Sequence, residues 1–250
     1  MMFAAADWDN TFLPAVRAWL SGGDPLAYIY NPPWVLVPLV PFAVLPYEIG
    51  RVALFICAFL TFALAARKLN ARPIGLLALI ASPLVLDALV FGNVEWLTVL
   101  GFLLPAWAGI PFLLIKPQIG VGVVIFILID RWRISGYRGV VKTLIPVAIL
   151  TLLSFALFGN WLARMASYTQ HRDSFLNLSF YPYTFPIGFA LMVAAIRSRR
   201  IEFALAASPC FFPVLTPQCW AVALLAIVGA TWEIGAASVG LWVLVLMARQ

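Results

Sequence analysis

The stretch IPFLLIKPQIGVGVVIFILI, residues 110–129, decides which solvent this chain is built for. It is about the length a helix needs to cross a hydrocarbon layer of ~30 Å, and its only charge is Lys116. The reading is one membrane-crossing helix from Ile110 to Ile129, closed by Asp130, Arg131, Trp132 and Arg133. Outward from it lie further apolar runs: Val140 to Phe158 downstream, and Ile49 to Ala66 and Ile74 to Phe91 upstream. Shorter pieces occupy 34–45, which holds Pro38 and Pro41, and Trp96 to Trp107, and three or four more fall in 185–250. Apolar residues make up 64% of the chain and charged ones 10%, against roughly 45–50% and about 25% in soluble domains. The expected fold is therefore all-α, a polytopic transmembrane helical bundle of about six to eight spans. Short re-entrant or interfacial helices are expected on the exoplasmic side. The runs are continuous rather than alternating, which excludes a lipid-spanning barrel.

Charge sets the orientation. The formal net charge is +6, and the basic residues cluster at 67–72, 131–142 and 197–200, between apolar runs. That distribution follows the positive-inside rule and places the clusters in the cytoplasm. It does not point to nucleic acid, for which no binding motif accompanies the basic residues. The chain then reads as one integral membrane domain, 1–250, with the lipid bilayer as its first partner. Within it, 1–48 is an exoplasmic or interfacial segment, 49–158 holds the main spans, 159–184 is an exoplasmic loop and 185–250 holds short C-terminal spans. Two apolar pieces separate the exoplasmic Gly92–Glu95 break from the cytoplasmic Arg131 cluster. Parity requires that one not cross, and the shorter, 96–107, is the expected one. The first residues lack a basic start and a long apolar core, so no cleavable signal peptide is expected.

Polar groups inside lipid are expensive and need a reason. Lys116 sits midway along its run, too deep to snorkel. It either pairs with an internal carboxylate for structure or serves as the cation for an anionic group such as phosphate. Pro117 frees backbone groups there, which is tolerated where a helix lines a cavity. Asp7 and Asp9 are either solvated carboxylates or a general base near the membrane face. Asp87 and Glu95 flank Gly92-Asn93 and are either helix-end residues or ligand contacts. Interfacial anchoring accounts for most of Trp8, Trp34, Trp96, Trp107, Trp161 and Trp220. His171 and Tyr168 lie in the exoplasmic loop. A lone histidine cannot form a multi-histidine metal site, and Cys57, Cys210 and Cys219 lack metal spacing and read as packing residues. Neither a metal nor a cofactor is expected.

The order of short motifs resembles the front of GT-C-type membrane glycosyltransferases. These motifs are Asp7-Trp8-Asp9, Pro14 to Leu20, Gly22-Gly23-Asp24-Pro25, Tyr30-Asn31-Pro32-Pro33-Trp34 and Pro41 to Pro46. The branch it is most similar to is that of the polyprenyl-phosphate-mannose-dependent mannosyltransferases. Gly92-Asn93-Val94-Glu95 stands where that branch often has Gly-Gln and a polar residue, and Ile115-Lys116-Pro117-Gln118 looks like its buried lysine motif. The likeness covers roughly the first half of the chain. It implies transfer of a sugar from a polyprenyl-phosphate donor to an exoplasmic acceptor, in a bacterial plasma membrane. By this resemblance Asp7 is the base, with Asp9 the neighbouring candidate, and Lys116 holds the donor phosphate. Asn93 and Glu95 border the cavity and Gln118 lines it beside the lysine; Asn31 and His171 are further candidate substrate contacts, the loop histidine being either solvated or functional. The alternatives from the residues alone are a non-catalytic subunit packed against protein partners and a transporter of an anionic substrate.

Overall fold

A computed structural model describes residues 6–167 and 177–247, and every regular element among them is helical. A π-helical turn, Trp8–Phe12, runs straight into α1 (Leu13–Leu20). Then come α2 (Leu36–Ala43), α3 (Tyr47–Lys68), α4 (Pro73–Ile80), α5 (Pro83–Phe91), α6 (Glu95–Leu103) and α7 (Ala106–Leu113). The chain continues with α8 (Pro117–Phe158), α9 (Trp161–Ser167), α10 (Phe185–Ser198), α11 (Ile201–Ala207), α12 (Cys219–Leu225) and α13 (Thr231–Met247). Two of these, α3 and α8, are long and apolar enough to cross a membrane, and there are three if α4 and α5 count as one span bent by 61°. That is fewer than six to eight.

Helix α3 shows how such a span is specified. Leu54, Ala58, Phe62 and Ala65 recur at helical spacing and are buried, while Val52, Ile56, Leu60 and Leu64 on the other side are exposed. An apolar face of this extent is suited to lipid rather than water. Arg67 and Lys68 end the helix, where cations complement its dipole, and Asn70 turns the chain with a φ of 59°. The bend between α4 and α5 frees backbone groups that must find partners inside the protein. Ser82 Oγ donates to the Leu79 carbonyl at 2.7 Å, and Trp242 Nε1, from α13, donates to the Ala81 carbonyl at 2.8 Å.

The stretch 110–129 is not one helix. The chain leaves helical geometry after Leu113 and resumes it at Pro117, with Lys116 between them at φ −127° and ψ 84°. Proline disfavours helical geometry in the residue before it and has no N–H to miss at a helix start, so Pro117 begins α8 rather than lying within it. Two side chains satisfy carbonyls around the break: Asn31 Nδ2 donates to Ile115 at 3.0 Å and Trp34 Nε1 to Pro111 at 2.9 Å. Helices α6 and α7 form an antiparallel hairpin, with Gly101 packed on Gly109 and Glu95 paired with Lys116 at its open end. The hairpin returns the chain to the end of the molecule it left, and residues 96–107 span α6 and the start of α7. At the other end, Lys68 Nζ donates to the Phe102 carbonyl at 2.8 Å.

Gly120 lets α8 lie directly on α7, because a Cβ there would overlap the Leu113 carbonyl. Gly120→Ala is expected to lower stability by about 1–3 kcal/mol or more. Gly235→Ala, on α13 with open space around it, is expected to be neutral or to gain up to about 1 kcal/mol. Paired unfolding curves in one detergent check both; equal behaviour of the two variants would refute the close packing.

Helix α8 is divided at Gly136, whose φ of 59° and ψ of −155° are not helical. Its second part carries exposed Val141, Ile145, Ile149 and Leu153. The segment expected to be a loop, 159–184, contains α9, and Trp161 packs edge-on against Trp34 at 5.6 Å. Interfacial anchoring fails for four tryptophans: Trp8, Trp34, Trp96 and Trp161 are buried in the core. Their motifs sit at apolar boundaries in sequence, but the N-terminal segment folds over the helix ends and encloses them. Cys210 and Cys219 are buried and Cys57 half-buried.

Candidate functional site

Four polar side chains form one connected line at the open end of the α6–α7 hairpin. Asn93 Nδ2 donates to Asp7 Oδ2 at 2.7 Å. Lys116 Nζ donates to Asn93 Oδ1 at 3.2 Å and also to Glu95. The line is directional. An ammonium only donates, so Asn93 must turn its oxygen to Lys116 and its NH₂ to Asp7. The local backbone explains the placement. Helix α5 ends at Gly92, with φ +69°, a conformation glycine adopts readily. A Cβ there would lie 2.8 Å from Trp8 Cβ, so this glycine also lets the segment carrying Asp7 approach. Asn93 then projects between that segment and the α7–α8 break.

Glu95 is wholly inaccessible and Lys116 is 9% exposed. A buried pair of this kind is held by its geometry, and removal of either partner strands a charge. The lysine therefore pairs with an internal carboxylate, and it also lies at the wall of a cavity.

That cavity has a volume of about 550 Å³. Asp7, Asn31, Asn93, Lys116 and Gln118, all singled out in the sequence, line it together. Glu95 lies behind Lys116 rather than on the wall. Asp9 is not on the wall either: its carboxylate accepts a hydrogen bond from the Tyr47 hydroxyl at 2.9 Å on the exposed side of the helix. Positions two apart on a helix point in nearly opposite directions, so one aspartate of the pair faces the cavity and the other cannot. His171 lies outside the described residues.

Several wall residues come from parts of the chain the motifs did not reach. Thr216 and Gln218 enter from the segment before α12, Cys219 from its first position, and Asp87 from the last turns of α5, beside Gln218. Tyr28 and Tyr30 close the side facing the N-terminal loop. One signal pointed to the C-terminal contribution. Pro117-Gln118 at the α8 start recurs as Pro217-Gln218 before α12, and both glutamines reach the same cavity.

Carboxylates outnumber cations here: Asp7 and Asp87 share the wall with Lys116, and Glu95 pairs with Lys116 behind it. Burial pushes the Asp7 carboxyl above its ordinary value of 3.8, and the negative charge of Glu95 adds to this, while Lys116 and the Asn93 hydrogen bond act in the opposite direction. Asp7 is thus a carboxylate of raised basicity, oriented by an amide and open to a cavity. Comparison of the chain with family models, with curated proteins and with solved structures finds no match.

Proposed function

We propose that this chain is a membrane glycosyltransferase that moves a sugar from a polyprenyl-phosphate donor to an acceptor hydroxyl in the cavity described above. The observation that carries the reading is the directional line from Glu95 through Lys116 and Asn93 to Asp7, which aims one basic carboxylate into the cavity. Asp7 takes the proton of the acceptor hydroxyl as its oxygen attacks the anomeric carbon. The bond from that carbon to the phosphate oxygen breaks, and polyprenyl phosphate leaves as an anion. Configuration inverts, and one base suffices because the phosphate leaves without strong acid assistance.

Lys116 takes a different role here from that of a free phosphate clamp. Its ammonium already serves Glu95 and Asn93, so its first task is to set the Asn93 amide and hence Asp7. The donor phosphate then meets the remaining ammonium proton and neutral donors such as Gln118 and Gln218. Two carboxylates on the wall, and a third paired with its one ammonium, also weigh against the alternative of an anion transporter.

In this reading α3, the bent α4–α5 pair and each part of α8 serve as spans, and the shorter C-terminal helices complete the bundle. The basic ends, Lys68 on α3 and Arg197 on α10, face the cytoplasm. The cavity, at the opposite end of α3, then faces the exoplasmic side.

The test is transfer of radiolabelled sugar from a panel of polyprenyl-phosphate sugars by membranes containing the wild-type chain. Transfer from at least one donor is expected; none from any donor, with the protein present at normal level, overturns the reading. The pH profile supplies a second check. Asp7 acts as a carboxylate, so raised basicity places the acid limb of the rate above the usual carboxylate range, about 4. Glu95→Gln removes a neighbouring negative charge and leaves Lys116 uncompensated, so that limb should move to lower pH. Asn93→Ala removes a hydrogen bond to the carboxylate and should move it to higher pH. Shifts in the same direction would sink Asp7 as the titrating base.

A further inference from the structure

At the end of the molecule away from the cavity, two basic segments far apart in sequence come together. Arg133 Nη1 donates to the Ile196 carbonyl at 2.9 Å. That bond joins the elbow of α8 at Gly136 to the end of α10, so Arg131, Arg133 and Arg138, spread around the elbow, lie at the same end of the molecule as Arg197, Arg199 and Arg200. The nearby acids are Asp130 and Glu202, and Glu202 is 3.5 Å from Arg200. All six arginines but Arg131 are exposed.

Two features make this more than a solvated helix end. Arg199 has a φ of +57°, the left-handed conformation that glycine ordinarily supplies at the end of a helix. A long cation kept where the backbone favours glycine is an outlier of the kind that accompanies function. The second feature is what lies between the charges. Trp132, Ile134 and Tyr137 are 60%, 66% and 61% exposed, interleaved with Arg131, Arg133 and Arg138. Alternating apolar and basic side chains at a helix elbow suit the boundary between headgroups and acyl chains. A soluble polyanion would satisfy the arginines and leave Trp132 and Ile134 in water.

We propose that the face formed by the α8 elbow and the end of α10 is a binding site for anionic phospholipid headgroups, with the arginines on the phosphates and Trp132, Ile134 and Tyr137 among the proximal acyl carbons. The site rests on the membrane reading of the chain and not on the transfer reaction, so failure of one leaves the other standing.

The test uses the purified full chain in a neutral detergent, with thermal unfolding followed during titration of phosphatidylglycerol or phosphatidylcholine. Phosphatidylglycerol is expected to raise the midpoint saturably, phosphatidylcholine to leave it nearly unchanged, and added salt to weaken the effect. The double variant Arg197→Gln/Arg199→Gly removes two charges without disturbing the Arg133 bond, and glycine relaxes the backbone at 199. It should fold at least as well without added lipid. Its half-effect concentration of phosphatidylglycerol should be roughly 30-fold higher, about fivefold per basic residue near an anionic surface. Equal effects of the two lipids would overturn the site, as would an unchanged half-effect in the variant or the same rise from inorganic phosphate alone.

Discussion

Asp7→Asn is expected to lower sugar transfer by about 10²–10⁴-fold, the usual contribution of a positioned general base, without loss of folded protein. The asparagine is isosteric and keeps an acceptor for the Asn93 amide. The stability prediction has a definite sign. A carboxyl raised above 3.8 in the folded chain binds its proton more tightly there than in the unfolded chain. Its favourable contribution is fully present below the unfolded value and is lost as pH rises through the folded one. At neutral pH the aspartate is therefore a liability to the fold, and the asparagine variant should be as stable as wild type or slightly more so. Asp9→Asn should change transfer by less than about threefold, as for a surface substitution, because its carboxylate is turned to Tyr47. A large loss in the Asp9 variant with little in the Asp7 variant would exchange the two roles and refute the geometry.

The largest effect on stability is expected at Lys116. Lys116→Met removes the cation from beside a wholly inaccessible carboxylate, and loss of one partner of a buried pair costs about 3–5 kcal/mol. The double variant Lys116→Met/Glu95→Leu leaves no stranded charge and should recover most of the loss, since apolar replacement of a buried pair is often neutral. Its transfer activity should stay low, because nothing then holds the Asn93 amide in register. Unfolding in denaturant, measured for the two single variants and the double, gives the coupling. A double variant no more stable than Lys116→Met would mean that the two charges do not depend on one another.

Much of the site could be read from the chain because polar residues in apolar runs are conspicuous. Lys116 stood out on that ground, while Asp7 and Asn93 were marked by the order of motifs around them, and the three meet at one cavity. The break at Lys116 was less visible: apolar residues flank it on both sides, and hydropathy does not report whether a run is one helix or two. Pro117 carried the missing information as a preferred first residue of a helix. The burial of Glu95 was hidden because pairing depends on which helix returns to which, a property of the α6–α7 hairpin and not of local pattern. Thr216 and Gln218 lie a hundred positions from Lys116-Pro117-Gln118, and only the repeated Pro-Gln dipeptide, which the motif reading did not use, links the two. The short C-terminal helices were the least legible, since pieces of 7 to 17 residues fit spans, half-spans and packed interior equally well.

The α6–α7 hairpin has an electrical consequence. Beneath Glu95, α6 continues with Trp96, Leu97, Val99 and Phe102, all buried, and its far end is tied to Lys68 at the opposite end of α3. Water that reaches Asp7 and Lys116 from one side therefore meets an apolar floor before it meets the other side. Such a floor insulates. In the membrane reading proposed above, the cavity would exchange protons with the compartment it opens to, and the voltage would fall across the hairpin.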